Sequence, residues 1–136
     1  MTLVVDASAV IDLLVRSDRG VRVRAFLADR TEDDMATVAH LDAEVFSGLA
    51  RLYRADDLDA EEVAVLLRRL GDLAVARLPI TARLLDAAWA LRDNVAARDA
   101  LYVAAAEVLS ADLVTTDDRL ARAVGDLAVN LDGDES

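Results

Sequence analysis

Four acids, Asp6, Glu44, Asp99 and Asp117, combine a residue type and a place in the chain that suit chemistry. Asp6 closes the apolar run Leu3-Val4-Val5 and opens a helical pattern. A carboxylate there projects from the carboxyl end of a strand, where open α/β sheets place their ligand crevice. Asp117 follows Leu113-Val114-Thr115-Thr116 in the same way. Asp99 opens a helix after the small-residue connection Val95-Ala96-Ala97, and Glu44 lies near the start of the helix after a strand at residues 35–38. All four therefore fall on one edge of the inferred sheet. Two acids about 5 Å apart at an effective dielectric near 20 repel by roughly 3 kcal/mol, so four in one crevice require a cation or raised pKa values. A set made of acids, in a chain with no cysteine and one histidine, suits a hard ion such as magnesium or manganese better than zinc.

The elements that must position these acids are legible as short apolar runs alternating with helical patterns. Strands are expected at residues 3–5, 35–38, 74–78, 113–116 and 127–131. Helices are expected at 9–15, 21–27, 41–54, 59–70, 83–93, 98–109 and 118–124. The clearest helix carries Val63, Leu66, Leu67 and Leu70 on one stripe, with Asp59 and Glu62 as a capping box and Gly71 as its stop. Thr81 caps the next helix, whose inner face is Leu84, Ala87, Ala88 and Leu91. Five short strands separated by helices imply an α/β fold: a three-layer α/β/α sandwich on a mostly parallel five-stranded sheet, because parallel strands need crossovers.

Composition narrows the field. A chain of 136 residues is one domain, with residues 132–136 expected to fray. No apolar run reaches the roughly 18 residues of a membrane span, and no signal peptide pattern opens the chain, so a cytoplasmic protein is expected. The net charge of −11 argues against non-specific attraction to nucleic acid, although a bound divalent ion reverses the local sign. All 15 basic residues are arginine. Without lysine there is no P-loop, no Schiff-base chemistry and no receiver domain of the usual kind.

The ordered pieces LVVDASAVIDLL, HLDAEVFSGLARL, RDALYVAAAEVL and ADLVTTDDRLARA run from residue 3 to residue 123. Together they resemble PIN-domain proteins of the VapC type, the toxins of type II toxin–antitoxin pairs. The resemblance implies a Mg²⁺-dependent endoribonuclease, with Mn²⁺ as a substitute, that cuts RNA and inhibits translation. It places Asp6, Glu44, Asp99 and Asp117 on the acidic positions that hold metal and orient water. Ser8 and Thr116 fall on small hydroxyl positions that support that site. It also implies a cognate VapB-type antitoxin and a homodimer. Two places depart from the family pattern, neither of them at the acids: Arg98 stands before DALY, and Ala39-His40 replaces a proline before the Glu44 helix. Asp117, and not the adjacent Asp118, keeps the TxD spacing. A metal site of this kind supports an in-line displacement at phosphate that leaves a 5′-phosphate and a 3′-hydroxyl.

Other readings compete for the same residues. Asp6 and Asp117 are also natural helix caps, and Asp99 and Glu44 suit the first turn of a helix. Asp12 and Asp42 read as solvated helix residues. Trp89, Tyr102 and Phe46 read as packing residues on apolar faces, and His40 as a helix-start residue. Arg16, Arg19, Arg22 and Arg24 form a local basic cluster, read as a solvated face, with an RNA-phosphate strip as the alternative. A catalytically weak PIN-like binding module is the rival function, disfavoured by the intact acid set. A D-x-D phosphatase is disfavoured by Asp6-Ala7-Ser8.

Overall fold

The computed structural model describes residues 1–132. The frayed end expected at 132–136 therefore lies, beyond Asp132, outside the described residues. Four parallel strands, β1 (Thr2–Val5), β2 (Asp34–Val38), β3 (Ala76–Leu78) and β4 (Asp112–Val114), form a sheet in the order β3-β2-β1-β4. Among the described residues, seven α-helices join them: α1 (Ala7–Val15), α2 (Asp18–Ala28), α3 (Leu41–Arg54), α4 (Ala60–Asp72), α5 (Ala82–Trp89), α6 (Ala97–Leu109) and α7 (Asp118–Val124). Leu3, Val4 and Val5 are all buried, so both faces of the central strand are covered, as a parallel sheet requires. Helix α6 lies against β1, β2 and β4, and its alanines let it approach closely.

Several boundaries follow from named residues. The capping box of α4 forms as the sequence implies, with Asp59 accepting from the Glu62 amide and Glu62 from the Asp59 amide. Gly71 does not stop this helix, which runs on to Asp72. The Arg77 guanidinium takes over, donating to the carbonyls of Leu70, Leu73 and Val75 while gripping Asp42. Carbonyls satisfied by an arginine do not require a left-handed glycine turn. Helix α5 ends at Trp89, short of residue 93, because the chain tightens into turns with i→i+3 bonds from Ala88 to Leu91 onward. Gly125, at φ +60°, does end α7.

The expected fifth strand is reduced to one parallel bridge between Leu113 and Ala128, with the Val129 amide donating to the Leu113 carbonyl at 2.9 Å. A 3₁₀ turn at Gly125–Leu127 uses up the start of the segment, and β4 offers only three residues for pairing. Among the described residues the sheet is four-stranded as a result.

Helices α1 and α2 are pressed together at Gly20. A Cβ there would stand 1.9 Å from the Asp12 carbonyl oxygen, so only glycine fits. That hairpin, α1 and α2, carries Asp12 and Arg19 to the end of β4.

Candidate active site

Asp6 follows β1 and caps α1, accepting the Ala9 amide at 2.9 Å. Two hydroxyls close around the same carboxylate. Ser8 Oγ donates to Oδ1 at 2.7 Å and Thr115 Oγ1 donates to Oδ2 at 2.5 Å. Each hydroxyl is oriented in turn by a backbone N–H of the turn after β4. The Thr116 amide donates to Ser8 Oγ and the Asp117 amide donates to Thr115 Oγ1, both at 3.1 Å. Asp6 is only 3% exposed. Burial pushes its carboxyl up to about 6, against the pull of the Thr115, Ala9 and Ser8 hydrogen bonds, and the charge of Asp99 adds to the rise.

The other three acids meet at the same edge. Asp99, in the first turn of α6, is held above the ordinary carboxylate range, first by burial and then by the charges of Asp117 and Glu44, with Arg98 opposing. Asp117 caps α7 through one oxygen, Oδ1, which accepts the Arg119 and Leu120 amides at 3.0 and 3.1 Å. The cap therefore does not use up the carboxylate. Glu44 is also held by one oxygen. Its Oε1 accepts from Tyr102 Oη at 2.5 Å and lies 2.9 Å from His40 Nε2. The His40 ring lies against Tyr102, with centroids 4.8 Å apart. Burial and the Glu44 charge push the Tyr102 phenol up, so it stays a donor.

Asp6 feels Asp99, and Asp99 feels both Asp117 and Glu44. The repulsion anticipated from the sequence thus adds to burial in raising the proton affinity of Asp6 and Asp99. Among the described residues, no three of these side chains already stand in a cage tight enough to grip an ion unaided. Magnesium suits such a site, because it keeps several of its waters and takes only one or two carboxylates directly. The donor set, all carboxylate oxygens with mutual repulsion, fits a hard divalent ion and not zinc or copper.

The supporting contacts divide unevenly between the two threonines at the end of β4. Of the two threonines, Thr115 touches Asp6, whereas the Thr116 hydroxyl turns away to Asp12 Oδ2 at 2.5 Å. Thr116 supports the site through its backbone, by orienting Ser8. Asp12 is accordingly not a solvated bystander, and neither is Asp42, which pairs with Arg77. His40 and Tyr102, a helix-start residue and a packing residue by sequence, also hold Glu44. Tyr102 is buried as expected, but Phe46 and Trp89 are 56% and 69% exposed and do not pack into the core.

A family model described as PIN domain matches residues 3–126. The chain belongs to the PIN-domain family. Among curated relatives, "Ribonuclease VapC3" of Mycobacterium tuberculosis is 49% identical over 122 residues, covering 89% of this chain and 86% of that one. "Ribonuclease VapC1" of the same species is 39% identical over 124 residues, covering 90% of each. Solved structures share the PIN fold. A FitAcB crystal structure from Neisseria gonorrhoeae aligns with a TM-score of 0.69 at 24% identity, covering 95% of this chain and 97% of that one. VapBC2 from Rickettsia felis, bound to a promoter DNA fragment, aligns at 0.66 and 14% identity, covering 95% and 96%. At those identities the structural likeness is one of fold.

Proposed function

We propose that this PIN-domain protein is the toxin of a type II toxin–antitoxin pair, a metal-dependent endoribonuclease that cuts RNA and is held in check by a cognate VapB-type antitoxin. The observation that carries the reading is the convergence of Asp6, Glu44, Asp99 and Asp117 as mutually repelling acids on one sheet edge, in a chain half identical to a named ribonuclease. Asp6, Asp99 and Asp117, with Glu44, would hold Mg²⁺, for which Mn²⁺ substitutes. When bound, the ion polarises water and offsets the charge that grows on a phosphate during in-line displacement.

The chain's own residues have separable tasks. Ser8 and Thr115 fix the direction of the Asp6 carboxylate. Tyr102 and His40 hold one oxygen of Glu44 and leave the other free of that clamp. Asp99 has no such clamp among the described residues, and its raised affinity for protons comes first from burial and then from the like charges of Asp117 and Glu44. Such a site acts on the phosphodiester directly and does not call on the ribose 2′-hydroxyl as nucleophile. The exposed apolar side chains Phe46, Leu85, Trp89 and Val108 are available to the antitoxin and to a second copy in a homodimer. No helix among the described residues is long and apolar enough to cross a membrane, in keeping with work on RNA in the cytoplasm.

The test is Asp99→Asn, with folding checked by circular dichroism. Growth arrest on expression and Mg²⁺-dependent RNA cleavage should both disappear, and the parent's products should carry 5′-phosphate and 3′-hydroxyl ends. Undiminished cleavage by the folded variant contradicts the site, and a 2′,3′-cyclic phosphate contradicts the chemistry.

A further inference from the structure

The turn that carries Asp117 is held from outside the acid cluster. Arg19, on α2, donates from Nη1 to the Thr116 carbonyl and from Nη2 to Asp118 Oδ2, the latter at 2.6 Å. Asp12, on α1, accepts the Thr116 hydroxyl on Oδ2 and the Ser17 hydroxyl on Oδ1, at 2.5 and 2.9 Å. Ser17 in turn caps α2 by accepting the Gly20 amide at 3.0 Å. The residues on either side of Asp117 are thus both gripped by one hairpin.

The peptide unit between Thr116 and Asp117 is the centre of this arrangement. Its carbonyl accepts from Arg19, and its N–H donates to Thr115 Oγ1, which donates to Asp6. With both ends tied, the plane of that peptide is fixed, and with it the direction in which Asp117 leaves the backbone. We propose that Arg19, aided by Asp12, is a positioning residue that pins the Thr116–Asp117 peptide and so sets where the Asp117 carboxylate stands relative to Asp6. This rests on the metal-site reading above. It assigns Arg19 a task unlike the RNA-phosphate contact that its place in a basic cluster suggests, although the same guanidinium lines a cavity of about 420 Å³ with Arg22 and Arg122. The pairing with Asp118 favours the clamp, because that carboxylate offsets the charge a phosphate would be drawn to and the two Nη groups are already aimed at the turn.

The experiment compares the parent with Arg19→Ala, Arg19→Lys and Arg24→Ala, an exposed neighbour in the same cluster. Mn²⁺ binding is measured by calorimetry without RNA, and RNA cleavage by kcat, KM and the Mg²⁺ half-saturation point. Arg19→Ala should weaken Mn²⁺ binding about tenfold, the scale for residues that orient metal ligands. It should lower kcat and leave KM within about twofold. Arg19→Lys should rescue it poorly, since a compact ammonium lacks the planar fork whose two nitrogens reach the carbonyl and the carboxylate separately. Arg24→Ala should match the parent. In an Asp117→Asn background, Arg19→Ala should cause no further loss of Mn²⁺ affinity, because its effect runs through Asp117. Amide exchange at Asp117 reports whether the turn loosens in variants that stay folded.

Unchanged Mn²⁺ affinity in Arg19→Ala, or a KM effect with flattened salt dependence that Lys restores, overturns the clamp in favour of phosphate binding. A parent that binds Mn²⁺ but leaves RNA intact sinks the nuclease reading alone, and the clamp is then decided by the Mn²⁺ titration. A parent that binds neither ion overturns both.

Discussion

Replacing Asp6 by Asn should change how stability depends on pH, and the structure sets the size of the change. In the folded chain the Asp6 carboxyl is pushed up to about 6 from an ordinary value of 3.8, chiefly by burial. The folded state therefore binds this proton more tightly than the unfolded state does. Its stabilising contribution is complete below about pH 4 and is lost as pH rises through 6. At about 1.36 kcal/mol per pKa unit the loss comes to about 3 kcal/mol, of which about 2 falls between pH 4.5 and 7.5. Asn removes that slope. It also disturbs hydrogen bonds, because its carbonyl suits the Ser8 and Ala9 donors and its amide must face Thr115, whose hydroxyl has to turn. That cost does not vary with pH, so the two effects separate. With EDTA present, thermal melts at pH 4.5 and 7.5 should show Asp6→Asn gaining on the parent by about 2 kcal/mol across the interval, or roughly 6–8 °C for a chain of this size. Adding Mg²⁺ at pH 7.5 should raise the melting point of the parent more than that of the variant. Parallel pH dependence of parent and variant would refute the claim that burying this charge strains the metal-free fold.

Thr115→Val keeps the shape and removes the hydroxyl between Asp6 and the Asp117 amide, so RNA cleavage should fall about 10–100-fold, read from initial rates at saturating Mg²⁺; an unchanged rate would return the supporting role to Thr116. Tyr102→Phe leaves Glu44 with His40 alone and should cost about 1–2 kcal/mol in urea unfolding, as loss of a hydrogen bond to a charged group does, together with a higher Mg²⁺ requirement. Trp89 is the only tryptophan and is mostly exposed. Trp89→Ser should therefore leave the stability of the isolated chain within about 0.5 kcal/mol, and if the parent self-associates or takes up its antitoxin through α5, the Trp89 emission should shift to the blue on binding.

Periodicity exposes those parts of the fold that cooperate locally. The Asp59 and Thr81 caps, the α4 stripe and the Gly125 stop each depend on residues within one or two turns, so the sequence carries them almost completely. Where a distant residue decides, the sequence misleads. Gly71 looks like a terminator, but Arg77 supplies the carbonyl partners from β3 and the helix continues. The run at 127–131 has strand composition, yet pairing depends on how much of β4 remains free beside it, and only one bridge forms. Trp89 and Phe46 sit on amphipathic helices whose buried faces are made by other residues, Leu84 and Ala88 in α5 and Leu41, Val45 and Leu49 in α3.

The same division runs through the site. Four acids were nameable because a carboxylate at a strand end or in a first helical turn is a local fact, and parallel topology brings such ends to one edge. Of their supports, Ser8 is legible in the same way, whereas Thr115 is not, because the choice between Thr115 and Thr116 is one of parity. On a strand with one face to solvent, alternation would settle which hydroxyl points into the crevice. At the end of β4 both threonines are buried, so the burial pattern gives no parity signal. What decides it is the turn itself: the amides of Thr116 and Asp117 point back at Ser8 and Thr115, and the remaining hydroxyl, on Thr116, has Asp12 as its acceptor. Asp12 lies six residues after Asp6 in the opening motif but serves the far end of the chain. A helix of nine residues thus has Asp6 at its N-cap and, on its second turn, the residue that steadies the loop of Asp117. Two of the acids proposed to share an ion are therefore referenced to the same helix. Agreement between them runs through α1 as well as through the sheet.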